Sequence, residues 1–225
     1  MRRSAKKLAL ALLAGLSLAS VHSKQTPAPP FAADIARFKA ADRLNPPEPG
    51  QILFIGSSTF TNWTDVGEYF PSHKILNRAF GGSTLPDQIR YANDIVFPYK
   101  PKQIVIYCGE NDFAGDPKLT PADVFQRFRT LHRLIRSRLR TVSIVYVSMK
   151  PSPSRWNLRD KFKAANLRIQ DFCKRQRQTV FLSTWDSMLG DNGMPKPEIF
   201  RPDRLHMNAE GYKIWQPQIE GVLLP

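Results

Sequence analysis

The ten residues Gln51–Phe60, QILFIGSSTF, decide how this chain is read. An unbroken apolar run, Ile52–Ile55, gives way to a glycine and two serines. A short run that is apolar at every position, rather than at alternate ones, fits a strand covered on both faces, as in a parallel sheet. Four further runs of this character follow: KILNRAF at 74–80, QIVIYC at 103–108, TVSIVYVSM at 141–149 and TVFLST at 179–184. Apolar residues recur at helical spacing between most of them, over Leu85–Ile95, Pro121–Leu139 and Leu158–Arg177. A last helix is expected beyond Asn208, an N-cap candidate, and Thr120-Pro121-Ala122-Asp123 reads as another helix start. Strands alternating with helices predict an α/β fold, a three-layer α/β/α sandwich with right-handed crossovers.

Upstream of this pattern the chain has a different character. Arg2, Arg3, Lys6 and Lys7 precede the apolar run LALALLAGLSLAS, and Val21 and Ser23 supply the small residues of a cleavage site. This predicts a signal peptide over residues 1–23 and a periplasmic or secreted mature chain. The run falls short of the roughly 20 residues that span a bilayer, so no stable membrane anchor is expected after cleavage. Residues 24–49 read as a proline-rich linker and a short amphipathic helix, Phe31–Leu44, with the main domain at 50–225.

The 225 residues suit one domain with a sizeable core. Basic residues outnumber acidic ones, 33 to 19. Many arginines fall in 127–140, where Phe128, Leu131, Ile135 and Leu139 keep helical spacing. The arginines are therefore expected on the opposite, solvated face, and with no nucleic-acid motif present no nucleic-acid partner is expected. Two cysteines, Cys108 and Cys173, are too few for a disulfide framework and read as small buried residues.

In an open sheet of this type, ligands bind beyond the carboxyl ends of the strands. The first run ends in Gly56-Ser57-Ser58, the second in FGGST with Gly81 and Gly82, the third in GENDF with Asn111, and the fourth in KPSPSRW. Near the C-terminus stands RPDRLHMN, with Asp203 three residues before His206. A serine hydroxyl becomes a nucleophile when a base takes its proton, and His206 is such a base. Asp203 on the same turn is placed to fix the imidazole tautomer and stabilise its charged form. The backbone N–H groups of Ser58 and Gly82 and the amide of Asn111 are candidate donors to an oxyanion. Glu110 and Asp112 lack a neighbouring histidine cluster, so no metal site is expected. Trp63, Arg78, Arg155 and Trp156 follow or flank strand ends and are the candidates for contact with substrate.

Ser in IGSS, Gly in FGGS, Asn in GEND and Asp-x-x-His near the C-terminus, in that order, resemble the four blocks of the GDSL, or SGNH, hydrolase superfamily. The resemblance covers about Gln51 to Pro225. It implies a flavodoxin-like sheet of strand order 2-1-3-4-5, Ser58 as nucleophile, Gly82 and Asn111 as oxyanion donors, His206 as base and Asp203 as its partner, with neither metal nor cofactor. The family's first block usually reads Gly-Asp-Ser, whereas here Ser57 holds the aspartate position; spacing from Gly56 favours Ser58 over Ser57 as nucleophile. The expected function is an exported serine esterase that removes a small acyl group, acetyl foremost, from a carbohydrate or small alcohol. A lysophospholipid or thioester substrate, and a non-catalytic binder of anionic polymer, are the other readings; the first two share the site.

Overall fold

The computed structural model describes residues 28–225, so the expected signal peptide, 1–23, lies outside the described residues. Five apolar runs become five parallel strands: β1 (Ile52–Gly56), β2 (Ile75–Asn77), β3 (Gln103–Tyr107), β4 (Ser143–Val147) and β5 (Thr179–Leu182). They pair in the order β2-β1-β3-β4-β5, with Ile52 opposite both Ile75 and Gln103, and Gly56 opposite Tyr107. This is the order the resemblance implied. Because successive side chains point to opposite faces, each central strand feeds two cores. Leu53, Ile55, Ile104, Ile106, Ile144 and Tyr146 enter one core, and Ile52, Phe54, Val105, Tyr107, Val145 and Val147 the other.

The first core is covered by α1 (Ala32–Leu44), α4 (Leu85–Arg90), α5 (Ala92–Ile95), α6 (Glu110–Gly115), α7 (Pro121–Arg138) and α8 (Arg159–Cys173). The second is covered by α2 (Ser58–Thr61), α3 (Val66–Tyr69) and α9 (Ala209–Glu220). The caps read from sequence form as expected. Asp123 N–H donates to Thr120 Oγ1 at 3.3 Å while Thr120 N–H donates to Asp123 Oδ2 at 2.8 Å, and Gly211 N–H donates to Asn208 Oδ1 at 3.2 Å.

Three expectations are modified. The helix expected over Leu85–Ile95 breaks at Tyr91 (φ −100°, ψ 8°), whose ring turns inward edge-on to Phe80. The helix at Phe31–Leu44, expected ahead of the main domain at 50–225, packs on it: Ile35 is buried in the first core, and Phe31 and Phe38 pack against it. The arginine-rich face of α7 is only partly solvated. Arg133, Arg138 and Arg140 are exposed. Arg127 instead pairs at 2.7 Å with the buried carboxylate of Asp112, and Arg136 donates to the carbonyls of Val142, Arg177 and Gln178. A buried carboxylate without a partner is strongly unfavourable, which explains why one arginine of the row folds inward.

Between these arginines His132 is buried, its Nε2 3.1 Å from Thr179 Oγ1 and its ring edge-on to Phe172. Burial, reinforced by the charge of Arg136, lowers its pKa from 6.5 to about 4. The unfolded chain therefore holds a proton that the folded one does not as pH falls from about 6.5 to 4, and stability drops across that window by roughly 3 kcal/mol before levelling off. Urea unfolding at pH 7 and pH 4.5 should show this loss in the native chain and a smaller one in His132→Leu. Equal losses in both would remove His132 from the acid limb.

Cys108 and Cys173 are both buried free thiols, as expected. Burial pushes the Cys108 thiol well above its usual range and that of Cys173 up to about 12, so neither is a thiolate at neutral pH.

Candidate active site

The site begins where β1 stops. Gly56 has φ +133°, and a Cβ there would lie 1.9 Å from the carbonyl oxygen of Tyr107. Only glycine lets β1 turn away so close to β3. Ser57 N–H then donates to Tyr107 O at 2.9 Å, and Ser58 opens the short helix α2. The carbonyl of Gly56 accepts from Phe80 N–H at 3.0 Å, Ser83 Oγ at 3.1 Å and Gln88 Nε2 at 3.2 Å. Three donors on one carbonyl hold the Gly81-Gly82 loop against the serines. A Cβ on Gly81 would come within 3.9 Å of Ser58 Cβ, and Gly82 sits at φ +80°.

The C-terminal loop brings the histidine over this turn. Asp203 Oδ1 accepts the N–H groups of Leu205 and His206, each at 2.9 Å, which fixes the carboxylate beneath the ring. Its Oδ2 lies 2.7 Å from His206 Nδ1, and His206 Nε2 lies 2.9 Å from Ser58 Oγ. Partial burial raises the Asp203 pKa, but the hydrogen bonds from the His206 side chain and the backbone outweigh it and bring the value to about 2. The carboxylate is thus ionised at neutral pH and accepts the hydrogen bond of Nδ1–H, so Nε2 is the acceptor for the Ser58 hydroxyl.

At the end of β3, Gly109 (φ +128°) leads into α6, and Asn111 projects over the serines. Its Nδ2 donates to Ser57 Oγ at 2.6 Å and to Ser83 O at 3.1 Å. Its Oδ1 accepts from Arg155 Nη2 at 2.8 Å. Ser57, Ser58, Asn111, Lys150, Arg155 and Leu205 are among the residues that line a small cleft. The structure therefore brings Ser58, His206, Asp203, Asn111 and Arg155 together, with the Gly82 loop alongside.

Residues 54–214 match the model of the GDSL-like lipase/acylhydrolase family. The chain belongs to that family. No curated protein matches the chain. Among solved structures, this GDSL-like hydrolase resembles a protein from Streptococcus pneumonia at TM-score 0.74 and 19% identity, covering 85% of this chain and 92% of the other. A GDSL-like lipase from Bacteroides thetaiotaomicron matches at TM-score 0.69 and 21% identity, over 83% and 97% of the two chains. An acetyl-xylooligosaccharide esterase from Geobacillus Stearmophilus, solved as a mutant, matches at 0.60 and 15%, over 76% and 93%. At these identities the likeness is one of fold; the family is one of ester-bond hydrolases.

Three of the four substrate-contact candidates lie outside this cleft of the GDSL-like fold. Trp63 is wholly buried in the second core, its ring stacked on Tyr212 at 4.6 Å, so it presents no face to a ligand. Arg78 pairs with Asp42, donates to Tyr99 Oη at 2.9 Å and packs over Phe38, tying α1 to the end of β2. Trp156 stacks on Trp185 with centroids 6.4 Å apart and is not among the cleft residues; Arg155 is. Sequence reasoning also missed the contacts of Ser57. Ser57 is buried and its hydroxyl accepts from the Asn111 amide. Ser83 and Gln88 were missed as well, because a serine in a glycine-rich loop and a glutamine on a helix carry no sequence sign of a shared carbonyl.

Proposed function

We propose that this GDSL-like hydrolase is an exported serine esterase that removes a small acyl group, acetyl foremost, from a carbohydrate or small alcohol. The observation that carries the reading is the continuous contact Ser58 Oγ–His206–Asp203, at 2.9 and 2.7 Å. His206 Nε2 takes the hydroxyl proton as Ser58 Oγ attacks the ester carbonyl, and the alcohol leaves with that proton. Water, deprotonated by the same nitrogen, then releases the acid and restores Ser58. The N–H groups of Ser58 and Gly82 and the amide of Asn111 receive the oxyanion. For Asn111 this means exchanging its contact with Ser57 Oγ for the developing charge.

The lining of the cleft supports a small acyl group. The side chains around it are mostly polar, Ser57, Ser58, Asn111, Lys150 and Arg155 among them. A fatty chain would need an apolar wall that these residues do not supply. The acetyl-xylooligosaccharide esterase among the structural relatives agrees with a carbohydrate ester. Export rests on the N-terminal pattern of residues 1–23.

A p-nitrophenyl ester series tests the acyl preference. kcat/KM should be highest for acetate and at least about tenfold lower for octanoate, and acetylated xylo-oligosaccharides should be turned over in preference to lysophospholipids. One methylene changes binding by about 1–3 kcal/mol at most, so the decline should be graded before it becomes steep. A maximum at long chains would contradict the small-acyl assignment and leave the serine chemistry standing.

A further inference from the structure

Beneath Asn111 lies a buried group of charges that the steps above do not use. Glu110 is 5% exposed and Lys150 1% exposed. Glu110 Oε1 accepts from Lys150 Nζ at 3.2 Å and from the Tyr107 hydroxyl, and Oε2 accepts from Arg155 Nη1 at 3.2 Å. The second guanidinium nitrogen of Arg155, Nη2, donates to Asn111 Oδ1 at 2.8 Å. Arg155 thus spans a buried carboxylate and the side-chain carbonyl of the asparagine, a fork geometry that lysine does not offer. The segment carrying it also touches the histidine loop, since Ser154 N–H donates to Arg204 O at 3.0 Å.

We infer that Arg155 is a positioning residue that sets the orientation of the Asn111 amide, an inference that rests on the oxyanion role given to Asn111 above. A carboxamide has an acceptor at one end and donors at the other. A guanidinium has donors only, so only Oδ1 faces Arg155, and Nδ2 is held toward the serines. Glu110, itself fixed by Lys150 and Tyr107, keeps the guanidinium from swinging out toward water. Arg155 lines the cleft, yet its two hydrogen bonds to side chains of α6 point it away from substrate binding and toward the geometry of the oxyanion donor.

The test is a double-mutant cycle of Arg155→Met and Asn111→Ala, read with p-nitrophenyl acetate. Asn111→Ala should lower kcat about 10²-fold or more, the usual effect of losing one oxyanion donor. Arg155→Met should lower kcat roughly ten- to a hundredfold with KM within about threefold, and in the Asn111→Ala background it should cost less than about threefold. Arg155→Lys should fall between native and Arg155→Met; if Arg155→Met does not fold, the cycle is run with Arg155→Lys. Equal losses in both backgrounds, or a raised KM with kcat unchanged, would overturn the positioning role while leaving Asn111 as donor. Full activity in Asn111→Ala would instead remove the oxyanion role of Asn111, and the role of Arg155 with it.

Discussion

Ser58→Ala is expected to lower kcat on p-nitrophenyl acetate by about 10³-fold or more while leaving the fold unchanged. The side-chain oxygen it removes has His206 as its partner, and its loss leaves no cavity in either core. His206→Ala should match it, because hydroxyl and imidazole act as one unit and removing either removes the attack. Asp203→Ala should cost less: the ring loses its orientation at 2.7 Å but keeps a basic nitrogen. Ser57→Ala should retain activity within about tenfold, since Asn111 remains held by Ser83 O and Arg155. Ser57→Asp, which restores the residue usual in the family, should also be tolerated. With its pKa near 2, Asp203 stays ionised down to strongly acid pH, so the acid limb of the activity profile is not its own protonation. Activity that survives Ser58→Ala, measured with purified protein in which trace native enzyme is excluded, would refute the nucleophile.

The second large effect is on the fold. Gly56→Ala places a Cβ 1.9 Å from Tyr107 O at a backbone angle, φ +133°, that L-residues rarely adopt. The clash is with backbone, and that backbone also receives Ser57 N–H. No side-chain rotation relieves it, so β1 must move away from β3 at the centre of the sheet. We expect a loss above about 4 kcal/mol, a large share of the 5–15 kcal/mol that holds a typical domain together. Urea unfolding of the variant, or its absence from the soluble fraction, reads this directly. A variant as stable as the native chain would show that the turn does not have this geometry.

These two positions also show why so much of the molecule was legible in its sequence. A strand buried on both faces must be apolar throughout, so Ile52–Ile55 and the runs like it announce the sheet, and the glycine and two serines that follow mark where the first strand ends. The Asp203–His206 spacing puts both groups in one loop, where their side chains meet at 2.7 Å. What stayed hidden depends on contacts between distant segments. Trp63 and Arg78 both follow strand ends, yet one is swallowed by the core of α9 and the other is drawn off by Asp42 of α1, 36 residues earlier in the chain. Arg127 is indistinguishable in sequence from Arg133, and only the fold brings it the buried carboxylate of Asp112. Ser57 looks like any helix-capping serine until Asn111 arrives from the end of β3.

The central claim is that Ser58, and not its neighbour Ser57, attacks the ester. Labelling with a fluorophosphonate followed by peptide mapping tests it most directly, because the reagent forms its bond with the serine that the histidine activates. The label is predicted on Ser58, in native enzyme and in Ser57→Ala, with none taken up by Ser58→Ala or His206→Ala. A label on Ser57, or stoichiometric labelling of Ser58→Ala, would contradict it.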